Sequence, residues 1–111
     1  MLKILAAAAL TLAAPLAFAQ QAAQQKGNAE SAKKNKIAMC IGCHGIPGYK
    51  TAFPSVYHVP KIAGQQPQYI ISALKAYKSG ERSHPSMRGI AASLSDEDMA
   101  DLAAYYGTET K

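Results

Sequence analysis

Residues 39–45 read MCIGCHG and hold both cysteines of the chain, Cys40 and Cys43, with His44 directly after the second. Two thiols at that spacing suit a disulfide, part of a metal site, a redox dithiol or covalent haem attachment. On a helix, Cys43 falls about 60° short of a full turn from Cys40 and His44 about 40° past it. Both thiols and the imidazole then share one side, so the thiols can bond to the edge of one bound group while the ring reaches its centre.

The surrounding sequence separates these chemistries. A disulfide across so short a loop stabilises little and leaves His44 unexplained. A thioredoxin-like dithiol belongs to a βαβ pattern, and no stretch alternates as a half-buried strand does. A zinc site needs four ligands, yet only His58 and His84 remain, both in proline-containing loops. C-x-x-C-H is the attachment signature of c-type haem, so one covalent haem c is the expected cofactor.

Export fits that chemistry. Lys3, the apolar run 4–12 and the small-residue site ending at Ala19 make up a secretory signal, with cleavage expected after Ala19. The alternative, an uncleaved anchor, meets an apolar run well short of the ~20 residues a bilayer needs. Residues 1–19 are therefore read as a leader, 20–27 as a flexible arm and 28–111 as one domain, in the periplasm. Without Lys3, 11 basic residues face 7 acidic ones, a net +4. A balance so mild and scattered does not suit nucleic acid, and points to solubility and steering toward acidic protein partners. A chain this short also needs help to complete a core.

The pattern is all-α. A first helix is expected over NAESAKKNKIAMCIGC, residues 28–43, with Asn28 as N-cap. A second opens at Pro67 and stops at Gly80, with Ile70, Ala73, Leu74 and Tyr77 at i, i+3, i+4 and i+7. A third follows the Ser95 cap, with Asp96, Glu97 and Asp98 in its first turn and Met99, Leu102, Ala103 and Tyr106 on one face. Pro85 and Gly89 break the segment 81–94 into a loop with at most one helical turn. Residues 45–64, with Pro47, Pro54 and Pro60, read as a long functional loop.

For the second axial position on the iron, the thioether and imidazole donors are Met39, Met87, Met99, His58 and His84. Met39 shares a helix with His44, and core packing accounts for Met99. Met87 follows Pro85 in the irregular segment, where packing gives no reason for a methionine, and is the expected sixth ligand. His84 is its rival, and plain solvated loop histidines remain the alternative for both His58 and His84.

CIGCHG, followed by VPKIAGQQPQYIISALKAYKSGERSHPSMRGIAASLSDEDMADLAAYYGT, resembles the bacterial class I c-type cytochromes, in particular the small periplasmic monohaem c4/c553-like subgroup, over residues 28–108. The resemblance implies a cytochrome c fold, three main helices plus loops wrapped around one covalent haem. In it Cys40 and Cys43 are the thioether sites, and His44 and Met87 the axial ligands. The resemblance also implies that the carbonyl of Pro60 supports the His44 ring. IPGYKTAFPSVYHV, residues 46–59, departs from the family's pattern in its aromatics; Tyr49 or Tyr57 is expected to meet a propionate or shield the pocket, with loop packing as the alternative.

The reading is a non-enzymatic, periplasmic single-electron carrier, a monomer with no small-molecule substrate. Its partners would be respiratory complexes, oxidases or periplasmic dehydrogenases. The main alternative is a dedicated haem c subunit of a dehydrogenase or respiratory complex; a ligand-sensing haem protein with an open iron position is a third class. Lys50, Lys61, Lys75, Lys78, Arg82 and Arg88 are candidate docking cations.

Overall fold

Residues 26–108 are described by a computed structural model. The expected leader and residues 20–25 of the arm lie outside the described residues. Among the described residues, Gly27 already packs on the last helix: a Cβ there would stand 1.9 Å from the carbonyl oxygen of Ala100. Only a residue without a side chain lets the chain run that close to the last helix.

Helix α1 (Ala29–Asn35) starts as its sequence requires, the Asn28 side chain accepting the Ser31 N–H at 3.1 Å. It does not continue to residue 43. The N–H groups of Lys36 and Ile37 both return to the Ala32 carbonyl, and the chain restarts as α2 (Ala38–His44). Lys36, with φ −125°, leaves helical geometry. Its ammonium is drawn to the last helix, 2.6 Å from Asp101 Oδ2 and 2.8 Å from Asp98 Oδ1. A tertiary tie here overrides local propensity.

Helix α3 (Pro67–Ser79) carries Pro67 in its first turn and ends at Gly80, φ 90°, in the left-handed region that favours glycine. Helix α5 (Asp96–Thr108) is started by a reciprocal cap. The Asp98 N–H donates to Ser95 Oγ, while Asp98 Oδ2 accepts from the Ser95 N–H and hydroxyl. Two elements differ from expectation. Pro85–Ala92 forms a full helix, α4. Proline is tolerated in a first turn, Gly89 costs about 1 kcal/mol, and the His84 cap together with the burial of Ala91 offsets it. In the aromatic-rich loop, β1 (Lys50–Thr51) and β2 (Tyr57–His58) pair antiparallel, Lys50 opposite His58 and Thr51 opposite Tyr57.

The architecture is all-α. Helix α5 packs on α1 and α3, and α3 packs on α4. Ala32, Ile70, Leu74, Leu94, Met99, Leu102, Ala103 and Tyr106 form the core, so both long helices bury the faces their periodicity marks. Asp101 is buried among them at 3% exposure. One of its oxygens takes the Asn28 N–H at 2.7 Å and the other the Lys36 ammonium, as a buried carboxylate requires. The Gly64 N–H donates to the Tyr106 carbonyl at 2.8 Å, fixing the loop before α3 against α5. Among the described residues no helix is long and apolar enough to cross a membrane.

Candidate functional site

A largely apolar cavity of about 520 Å³ is enclosed by α2, the hairpin, the segment after it and the inner faces of α3, α4 and α5. That volume lies within the ~300–1,000 Å³ typical of cofactor and ligand sites. Ile70, Leu74, Leu102 and Tyr106, which the sequence marks as helix-face residues, supply its apolar walls. Cys40, Cys43, His44, Pro60 and Met87 all line it. Residues far apart in the chain thus meet at one cavity.

Helix α2 presents the motif. Both cysteines are free, Cys40 half-buried and Cys43 exposed. Burial pushes the Cys40 thiol up, an effect partly offset by its hydrogen bond with Tyr106, and the Cys40 Sγ faces the Lys36 carbonyl at 4.0 Å. Among the described residues no group of three or more His, Cys, Asp or Glu side chains is placed to hold a metal ion.

The three histidines differ in environment. His44 Nδ1 lies 2.7 Å from the Pro60 carbonyl oxygen. A carbonyl only accepts, so Nδ1 carries the proton and, in the neutral ring, Nε2 keeps its lone pair. His84 has the reverse arrangement. Its Nδ1 accepts the Met87 N–H at 3.4 Å, so in the neutral ring the proton sits on Nε2, which has no lone pair to offer a metal. His58 is exposed on β2 and lies outside the cavity lining.

The methionines divide similarly. Met99 is fully buried in the core, as its helical position implies. Met39 lines the cavity from the helix that carries His44, and Met87 lines it from α4. Met87 occupies the first turn of that helix, not an irregular segment, and packs partly buried against the core. Tyr57 lines the cavity and Tyr49 does not. Among the candidate docking cations, Lys75 pairs with Asp96 at 3.6 Å and Lys78 donates to the Leu94 carbonyl. Arg82 lies over the Tyr77 ring and reaches the Tyr69 hydroxyl.

Sequence reasoning missed the Lys36–Asp98–Asp101 cluster. Its signal is the three-residue spacing of Asp98 and Asp101 within an otherwise buried helical stretch, which calls for a cation from another element. The capping role of His84 was equally hidden, because histidine is not a usual N-cap.

The donor set suits a haem: two free thiols, an imidazole with an unprotonated nitrogen and a thioether border one apolar cavity. Residues 29–108 match the family model described as Cytochrome c. The chain is similar to cytochrome c-554(548) of Halomonas halodenitrificans, with 40% identity over 71% of this chain and 94% of that protein. It is similar to the cytochrome subunit of sulfide dehydrogenase of Chlorobaculum tepidum, with 30% identity over 97% of each. Cytochrome c4 of Thiocapsa roseopersicina is 36% identical over 83% of this chain, but the match spans only 45% of that longer protein. Motif, cavity and relatives agree: the chain belongs to the cytochrome c family, as a class I c-type cytochrome related to the c4, c-552 and c-554 proteins, with one covalent haem c.

Proposed function

We propose that this protein carries single electrons as the monohaem c subunit or dedicated partner of an exported dehydrogenase. The geometry that supports electron transfer is the convergence of Cys40, Cys43, His44 and Met87 on one apolar cavity. The observation that favours a dehydrogenase partner is the match over 97% of both chains to the sulfide dehydrogenase cytochrome subunit. A freely diffusing carrier is the second reading, favoured by the match over 94% of cytochrome c-554(548). The signal-like residues 1–19 support a periplasmic location, with the domain beginning near residue 28. The small monohaem c4/c553-like subgroup is the assignment preferred within the family.

Bound haem supplies reversible one-electron exchange between ferrous and ferric iron. Cys40 and Cys43 would hold it through thioethers, so it stays in place as partners come and go. His44 Nε2 would ligate the iron, and the Pro60 carbonyl, by fixing the proton on Nδ1, turns the ring's basic nitrogen away from itself and makes it a better donor. Met87 would supply a thioether sulfur as the second ligand, which would raise the reduction potential relative to more basic donors. The walls formed by Ile70, Leu74 and Leu102 exclude water and disfavour added charge. Once the thioethers are in place, electron transfer asks no further bond-making of the chain.

Gentle purification from native cells, followed through haem absorbance, separates the two readings. Co-elution with a larger polypeptide that has dehydrogenase activity supports the subunit reading. Elution alone, with the cell's dehydrogenase activity unaffected by loss of this protein, contradicts it and favours the free carrier.

A further inference from the structure

His84 sits at the junction of two elements that share the cavity. Its backbone is extended, φ −147° and ψ 109°, as an N-cap requires, and Pro85 follows in the first helical position. Its Nδ1 accepts the N–H of Met87 at 3.4 Å. The centroid of the same ring lies 5.8 Å from that of Tyr57, with the planes tilted by 59°, within the range of favourable aromatic contacts. Tyr57 belongs to β2, and Tyr57, His84 and Met87 all line the cavity.

Ser, Thr, Asp and Asn, the usual N-caps, accept such an N–H but lack a ring to pack on Tyr57. Phenylalanine would pack on Tyr57 but accept nothing. Histidine does both: one nitrogen caps α4 while the ring packs against the hairpin. The N–H it engages belongs to the residue whose sulfur is the expected iron ligand.

We propose that His84 is a positioning residue for Met87. By joining the Met87 backbone to the Tyr57 ring, it ties the first turn of α4 to the hairpin and keeps the methionine side chain in place for ligation. The inference rests on the reading of Met87 as the distal ligand.

The test uses the ferric holoprotein, with imidazole as the displacing probe and the methionine-to-iron charge-transfer band as the readout. His84→Ala removes both contacts, and imidazole should displace Met87 roughly tenfold faster than in wild type, the scale of a lost cap. His84→Asn keeps the acceptor and His84→Phe keeps the ring, so each should recover part of the loss. Denaturant midpoints of the same proteins show whether displacement merely follows global stability. A wild-type displacement rate in His84→Ala, or no recovery in His84→Asn, overturns the proposal. If His84→Ala does not fold, Asn and Phe variants displaced no faster than wild type overturn it. A band present in wild type but indifferent to residue 84 defeats the positioning role alone; a wild type without the band defeats the Met87 reading and this inference together.

Discussion

The His44 Nδ1–H donates a hydrogen bond to the Pro60 carbonyl oxygen at 2.7 Å, across sixteen positions of sequence. That one bond orients a ring that lines the cavity and, in the neutral imidazole, leaves the lone pair on Nε2. It also feeds electron density to the imidazole, which favours ferric iron. Pro60→Gly keeps the carbonyl but frees the backbone that holds it. If the weakened bond costs the ferric state about 0.5–1 kcal/mol more than the ferrous state, the midpoint potential should rise by roughly 20–40 mV, at 59 mV per tenfold change. Voltammetry of wild type and variant checks this; an unchanged or lower potential contradicts it.

Lys36→Met should destabilise the holoprotein by roughly 2–4 kcal/mol, because the buried Asp101 loses its cation. Lys36→Met combined with Asp101→Asn should recover part of the loss, since the buried charge is gone and only the part-exposed Asp98 has lost its cation. Guanidinium unfolding followed by circular dichroism supplies the comparison.

The same cluster sets an acid limit. Lys36, then the Ser95 N–H and hydroxyl, hold the Asp98 carboxyl at about 2 against an ordinary 3.8. Burial pushes Asp101 up, but the Asn28 N–H, Lys36 and Ser31 outweigh it and leave it below the usual range. Both carboxyls are depressed on folding, so their contribution is complete above the ordinary 3.8; that of Asp98 is lost as pH falls toward about 2, and that of Asp101 as pH falls through its own lowered value. Asp101, followed by Asp98, raises Lys36 from 10.5; its contribution is complete below that value and is lost only as pH rises through the higher folded one. Stability should therefore be flat in these groups near neutrality. Lys36→Met should show a shallower loss between about pH 4 and pH 2 than wild type.

Gly27→Ala would set a methyl 1.9 Å from the Ala100 carbonyl oxygen and 2.7 Å from the Asp101 nitrogen. Backbone atoms cannot give way cheaply, so a loss of about 1–3 kcal/mol is expected in a denaturant titration. A neutral result would mean that the chain at Gly27 does not pack on α5.

Much of this architecture is legible in the sequence because its signals are local. Pro67 and Gly80 bound α3, the Ser95 cap starts α5, and both helices repeat apolar residues at the helical period. The haem motif is local too, with Cys40, Cys43 and His44 on one turn and a half of chain. Features set by distant partners are not legible. The break at Lys36 depends on carboxylates 62 and 65 positions away, and the hairpin pairs only two residues on each side. Helix α4 was hidden because Pro85 and Gly89 count as breakers while a histidine cap does not register as a start. Met87 stands out in the sequence as an irregular-loop methionine, yet it reaches the cavity from a helix whose first turn His84 holds.

The most direct test of the central claim is the absorption spectrum of the purified ferric protein beside that of Met87→Ala. Haem should stay with the polypeptide under denaturing conditions, and a methionine-to-iron charge-transfer band should be present in the wild type and absent from the variant. A haem released on denaturation, or a band that survives Met87→Ala, would contradict it.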